Sequence, residues 1–340
     1  MTEQREFGAP FGSIWNPAKA DPTGYVAPDR SLPGLPVDHP ANRPAVTVFG
    51  TIRNERKALA RSLSVWLRQA RPDWLTAEYL ILDDGSDDGV EDMIEPLLDA
   101  GAPIRFTRWR KPGDVGDRSC TVVFNAALRL IDSPLVVAQW FDRVPGSFGH
   151  LSALVAPHRK RAGIATSAIS RHVGSSSSVT DMPPAQLDAL LGLVDWRERP
   201  EQLDLVAGPI GGHCVPGQAT ESSGLCLPLA ELVALGGWDE RYGALRHGYP
   251  NVDLWRRVLG SGLTAVFPDA PVANNYHLSH PAGRREGKDT SLLADVTLAR
   301  NPAGWSVPGP IFDSGPTKPG GKMDAKRVAA ILAAECARSG

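Results

Sequence analysis

Two stretches near the start of the chain set its pattern: VTVFGTIRNE, from Val46, and YLILDDGSDD, from Tyr79. Each is a continuous apolar run that stops abruptly at polar residues, the signature of a short buried β-strand. Between them Leu59, Leu63, Trp66 and Leu67 recur at helical spacing, so Ala45 to Ser86 reads as strand, helix, strand. In an open α/β sheet, ligands bind where strands end at their carboxyl edges. Thr51, Arg53, Asn54, Asp83 and Asp84 are therefore expected to converge on one crevice.

The same alternation continues. Val90 to Ala100 predicts a helix with Met93, Ile94, Leu97 and Leu98 on its apolar face, and Pro103 to Trp109 a strand. The Gly- and charge-rich loop Lys111 to Arg118 leads into a helix that contains Asn125 and Leu130. Leu135 to Phe141 predicts a strand ending at Asp142, Gly149 to Ala156 a helix, and Ala162 to Ile169 a strand. From Arg171 to Ser223 the pattern weakens into loop chemistry around one helix, Ala185 to Val194. A long irregular segment inside a compact domain is uncommon unless it lines a site or is disordered, and acceptor specificity is expected there. Leu225 to Leu229 then predicts a strand, Ala230 to Leu235 a short helix, Asn251 to Leu259 an amphipathic helix and Thr264 to Pro268 a strand. His277 and His280 fall in a predicted loop, YHLSHP, and Ala325 to Ala337 predicts a last helix whose Val328, Ile331 and Leu332 could dock on the body. Alternation of strands and helices implies an α/β fold, a largely parallel sheet covered by helices on both faces.

Composition narrows the setting. Residues 1–44 carry eight prolines, which excludes long helices and central strands, yet Phe7, Phe11, Ile14, Trp15 and Tyr25 supply anchors. This segment reads as an extended arm laid over the body or over a second subunit of a homo-oligomer; a mobile leader is the other reading. Residues 45–283 form the expected main domain and 284–340 a tail ending in the terminal helix. A formal net charge of -2 and a pI near 6.5 give no reason to expect broad binding to nucleic acid or anionic membrane. The four cysteines form no CxxC pair, which argues against zinc ribbons and disulfide scaffolds. No apolar run approaches the roughly 18 residues of a membrane span, and the polar N-terminus lacks a signal peptide's apolar core. A soluble, cytoplasmic protein is expected.

Four groups of residues could carry chemistry. Asp83 and Asp84 end a buried strand before Gly85 and Ser86, where a carboxylate can accept hydrogen bonds from a ligand; the alternative is an Asx turn capping the next helix. Asp142 could hold a hard divalent cation such as Mg²⁺ or Mn²⁺ beside a phosphate, or could be a solvated strand end paired with Arg143 or Arg118. His277 and His280 are close enough to share a metal, although loop histidines are more often surface residues. Asp253, in the first turn of a helix, could act as a general base, or could simply complement the helix dipole.

The order of these motifs resembles that of family-2 glycosyltransferases of the GT-A (Rossmann-like) fold. VTVFGTIRNERKALARSLSVWL followed by YLILDDGSDDGVEDMI resembles the family's opening, in which the second strand ends in Asp-Asp-Gly-Ser. Asn125-Ala-Ala-Leu is similar to the family's Asn-x-Gly-Ile helix start. GGWDERYGALRHGYPNVDLWRRVLGSG is similar to its Gly-Gly-Phe-Asp-Glu and Glu-Asp-x-Asp-Leu-x-x-Arg-Leu pattern. The resemblance spans about residues 45–281 and implies a nucleotide-sugar donor, an acceptor that is a glycan, lipid, protein or modified base, and a divalent cation. By resemblance Thr51 and Arg53 would contact the nucleoside, Asp84 the base, and Arg118 the diphosphate, while His277 lies about where members carry a metal-binding histidine. The family's Asp-x-Asp falls on Trp140-Phe141-Asp142, so only the second aspartate is kept. Its Glu-Asp base falls on Pro250-Asn251, leaving Asp253 as the nearest titratable group. Two readings follow: an active inverting transferase, or a catalytically impaired relative that binds or assembles. A nicotinamide-dependent oxidoreductase is disfavoured, since no G-x-G-x-x-G follows the first strand.

Overall fold

The computed structural model describes residues 44–114, 120–173, 208–209, 223–240, 250–266, 268, 273–278, 309–317 and 321–337. The arm before residue 44, Arg118, the expected helix Ala185 to Val194 and His280 lie outside these.

The opening unit forms as the pattern predicts. Val46–Ile52 (β1) and Ala77–Asp83 (β2) are buried at every position and pair in parallel, with Arg56–Trp66 (α1) between them. Val90–Asp99 (α2) and Ile104–Arg108 (β3) extend the sheet on one side. Cys120–Ala127 (α3) crosses to Leu135–Ala138 (β4), which pairs in parallel with the other edge of β1. The chain then leaves this sheet for Arg143–Pro145 (β5), returns to it through helix His150–Lys160 (α4) and Ile164–Ser167 (β6), and leaves it again for Ile169–Val173 (β7). Gly208–Pro209 (β8), Leu225–Pro228 (β9), Leu229–Ala234 (α5), Pro250–Gly260 (α6), Thr264–Val266 (β10) and Asn274–Leu278 (β11) follow. Phe312–Asp313 (β12) and Ala325–Ala337 (α7) end the described chain.

The strands assemble into an eight-stranded sheet, ordered β10-β6-β9-β4-β1-β2-β3-β12, and a four-stranded sheet, β5-β11-β7-β8. In the large sheet all but β9 and β12 run in the same direction. The order reverses between β1 and β4, the topological switch point where such folds open a crevice. Helices cover both faces. Val48, Ile81 and Val137 meet Leu63 and Trp66 of α1, Met93 of α2 and Leu154 of α4 on one side. Phe49, Leu80 and Val136 meet Phe124 of α3, Leu232 of α5 and Trp255 of α6 on the other. This is a doubly wound, mostly parallel α/β fold.

Two expectations need correction. The strand expected to run to Phe141 stops at Ala138, because Phe141 is drawn into one apolar core while Trp140 packs against the other. Gln139 still donates its amide to Phe49 O at 2.8 Å, and Arg143 N then turns back to Trp140 O at 3.1 Å. Asp142 therefore sits in the turn that joins the two sheets. His277, expected in a loop, lies in β11, whose neighbours β5 and β7 come from distant parts of the chain. In the C-terminal segment β12 pairs with β3, and Arg105 holds Asp313 through two hydrogen bonds. Val328 and Leu332 of α7 are buried in the core, each contributing on the order of 2 kcal/mol. Among the described residues, no helix is long and apolar enough to cross a membrane.

Candidate functional site

The carboxyl ends of β1, β2 and β3 are level: Ile52 is opposite Asp83, and Asp83 opposite Arg108. Polar residues that follow these ends stitch the loops together. Asn54 takes a left-handed backbone (φ 53°), where asparagine is one of the few tolerated residues. Its amide donates to Ser86 Oγ at 3.0 Å, and its Oδ1 accepts from Asp87 N at 2.8 Å. Arg53 reaches the loop after β3, donating from Nη2 to Asp114 O at 3.1 Å. Thr51 is buried at the end of β1. Four of the five crevice residues expected from the strand ends thus meet through loops fixed on one another, with Thr51 beside them.

The two aspartates have different duties. Asp83 is fully buried; its Oδ1 accepts from Ser86 N at 2.9 Å and its Oδ2 from Arg108 Nε at 2.6 Å. It closes the Asx turn and anchors Arg108, which also pairs with Glu91. Partial burial pushes the Glu91 carboxyl up, but the Arg108 hydrogen bond and charge outweigh it and leave Glu91 below the usual range. Asp84 is held by its amide to Ile52 O at 3.0 Å, and its Oδ1 lies 2.9 Å from Arg110 Nε. Arg108 and Arg110 were not singled out from the sequence. Their alternation at the end of β3, RWR, was the available signal, and only the pairing of β3 beside β2 gives it meaning.

On the other side of the switch point, His277 Nε2 lies 2.8 Å from Asp142 Oδ2, and Arg143 Nε lies 3.5 Å from Asp142 Oδ1. Asp142 and the His277 side chain are nearly buried, with side-chain exposures of 12% and 13%. Two of the residues expected to hold a cation are therefore in contact. Trp140 packs against Phe124 with ring centroids 5.0 Å apart. Phe124 also meets Trp238 at 4.8 Å and Phe49 at 5.4 Å, so this part of the crevice rests on an aromatic cluster. The cluster is fixed by Asn125, whose side chain donates to Trp238 O at 2.7 Å and accepts from Trp238 N at 2.8 Å. Gly237 is required there, since a Cβ would lie 2.2 Å from Asn125 Oδ1 on a backbone at φ +61°.

Asp253 lies in the first turn of α6 and is buried. Its Oδ2 accepts from Arg257 Nε at 2.9 Å and Nη2 at 2.6 Å, and Arg257 Nη1 donates to Leu235 O. One oxygen of this carboxylate thus fixes α6 against the end of α5. Asn251 accepts from Trp238 Nε1 at 3.3 Å. Among the described residues, no group of three or more His, Cys, Asp or Glu side chains could surround a metal.

No known protein-family profile matches this chain, and no curated protein is similar to it at a significant level. Among solved structures, it is similar to the mannosyltransferase PcManGT from Pyrobaculum calidifontis, in complex with GDP-Man and Mn2+. That similarity has 13% sequence identity and a TM-score of 0.45, and it covers 81% of this chain and 66% of the other.

Proposed function

We propose that this protein is an inverting glycosyltransferase that binds a nucleotide-sugar donor in the crevice at the carboxyl ends of β1, β2 and β4. The observation that carries the reading is the 2.8 Å contact of Asp142 with His277, residues far apart in sequence that separate sheets bring together beside the switch point. The ordered family-2 motifs agree with it, because each of their strand-end residues borders the same edge.

In this reading Thr51 and Arg53 border the nucleoside, Arg53 stacking through its planar guanidinium, and Asp84, oriented by Arg110, accepts hydrogen bonds from the base. Arg118 contacts the diphosphate. The donor set suits a divalent cation: one carboxylate oxygen and one imidazole nitrogen, a mixture that fits Mn²⁺ better than Mg²⁺. Asp142 Oδ2 and His277 Nε2, 2.8 Å apart, are the two atoms that would hold it. Arg143, on the other oxygen of Asp142, adds positive charge and limits how far one ion can be neutralised by this chain alone. A bound cation would stabilise charge developing on the leaving diphosphate. Asp253 serves the acceptor side through Oδ1, since Arg257 occupies Oδ2.

The impaired, donor-binding alternative is favoured by one observation, that Arg257 already holds the carboxylate proposed as base. Hydrolysis and transfer assays over a panel of nucleotide sugars, with and without Mn²⁺, separate the two. Turnover that needs Mn²⁺ and is lost in Asp142→Ala is expected. Nucleotide binding without turnover for any donor would leave the alternative, and neither binding nor turnover would remove both.

A further inference from the structure

Two residues before His277, on the same side of β11, Asn275 enters a buried polar group to which the proposed chemistry gives no part. Gln139, Ser223 and Asn275 are each 0% exposed. Asn275 Nδ2 donates to Ser223 Oγ at 2.9 Å, Ser223 Oγ donates to Gln139 Oε1 at 3.3 Å, and Gln139 Nε2 donates to Asn275 Oδ1 at 3.3 Å. The three side chains close a ring. Its surroundings are the turn that carries Asp142: Ser223 Oγ accepts from Trp140 N at 3.3 Å, and Gln139 Nε2 reaches Trp140 O at 3.1 Å and Arg143 O at 3.4 Å. The ring also spans both sheets, because Gln139 continues β4, Ser223 precedes β9, and Asn275 belongs to β11.

Burying amides in this way yields little net stability compared with apolar side chains of the same shape, because their loss of water is only just offset by new hydrogen bonds. What such a ring does provide is direction. A one-residue slip of β11 would turn Asn275 to the opposite face. A two-residue slip would carry it about 6.6 Å along the strand. Either leaves buried amide groups without partners, so only one register is compatible with the ring. That register places His277 opposite Arg143 and against Asp142.

We infer that the Gln139–Ser223–Asn275 ring is a positioning device that sets His277 against Asp142 and thereby fixes the affinity of this centre for a cation bound with a nucleoside diphosphate. The inference rests on the reading of Asp142 and His277 given above. All three are positioning residues and touch no substrate.

The test uses the full chain and follows free Mn²⁺ by its electron paramagnetic resonance signal, with GDP and then UDP present. Melting temperature is measured alongside. The double variant Gln139→Leu/Asn275→Leu keeps the buried volume and removes both amides. It is expected to melt within a few degrees of wild type while Mn²⁺ with nucleotide binds at least about tenfold more weakly, as for other residues that orient metal ligands. Ser223→Ala is expected to weaken binding in the same direction, and Ser223→Thr, which retains the hydroxyl, to restore it. If Asp142→Ala and His277→Ala abolish Mn²⁺ binding but the folded double variant and Ser223→Ala bind as wild type, the positioning inference is overturned. Should the double variant fail to fold, Ser223→Ala decides alone. If Asp142→Ala and His277→Ala leave Mn²⁺ binding unchanged, or wild type binds none, the reading of the centre itself fails.

Discussion

Glu335, in the last turn of the C-terminal helix, grips Arg56, the first residue of α1, through two parallel hydrogen bonds of 3.0 Å across 279 positions of chain. Arg56 also donates to Gly89 O at 2.6 Å, and its own amide donates to Asp88 Oδ2 at 2.8 Å. One guanidinium therefore ties the C-terminal helix to both loops of the proposed nucleotide half-site. Glu335→Ala removes the two-pronged partner of this mostly buried cation and leaves it Asp92 at 3.6 Å, which is expected to cost about 2 kcal/mol. Denaturant unfolding monitored by fluorescence measures it, and a change of under about 0.5 kcal/mol, ordinary for a surface site, would show that the clasp carries no energy.

Asp83 accepts from both Ser86 N and Arg108 Nε while fully buried, so Asp83→Ala removes two acceptors at once. A stability loss of about 3 kcal/mol or more is expected in the absence of any ligand. Asp84→Ala should instead show its larger effect on nucleotide binding. Equal ligand-free stability of Asp83→Ala and wild type would contradict the division of labour between the pair.

Gly50 of β1 faces the residue that follows β4, and a Cβ there would stand 1.8 Å from Gln139 O, a backbone atom that cannot swing away. Gly50→Ala must push the two central strands apart. The expected outcome is a loss of about 3 kcal/mol or more, or failure to accumulate as folded protein. Circular dichroism melting checks it, and a wild-type melting curve is the contrary result.

Burial pulls the His158 imidazole down to about 4, against a smaller upward pull from a hydrogen bond at the Cys226 backbone. The unfolded chain, with histidine near its ordinary 6.5, binds the proton more readily than the folded one. Stability is thus fully present above about pH 6.5 and is lost as pH falls toward 4, by roughly 3 kcal/mol in all. In His158→Gln, the amide can still donate to Thr166 Oγ1, which the imidazole nitrogen now approaches to 3.2 Å. The acid limb of the stability curve between pH 6.5 and 4 should be shallower in that variant; an unchanged slope assigns the limb to other groups.

Cys226, fully buried in β9, has its thiol pushed up to about 12 by burial, despite a hydrogen bond with Thr166 that pulls the other way. The thiolate is the reactive form, so Cys226 should stay silent to a thiol reagent at pH 8 until the protein unfolds. Mass spectrometry of the labelled protein locates the modified residue, and rapid native labelling of Cys226 is the opposing outcome.

The local elements were readable from the sequence because their causes are local. Apolar runs such as Val46 to Ile52 and the helical recurrence of Leu59, Leu63 and Trp66 act within one turn or one strand, and the alternation of such elements already implies a sheet covered on both faces. The ending of strands in Asp83-Asp84 and near Asp142 also marked the crevice edge. The sequence could not tell that Asp83 is committed to Arg108, that Arg257 holds Asp253, or that Glu335 reaches Arg56, since each partner is supplied by a remote element or by helical contact in a packed turn. Nor could periodicity show that Trp140 and Phe141 would leave the strand for two different cores, or that His277 would join a strand. A strand edge has no partner until another part of the chain arrives, and a carboxylate has no fixed role until burial decides which cation it meets. The fold class and the candidate residues were thus determined by patterns along the chain, while the meeting of Asp142 with His277 was decided only when the two sheets closed around Gln139, Ser223 and Asn275.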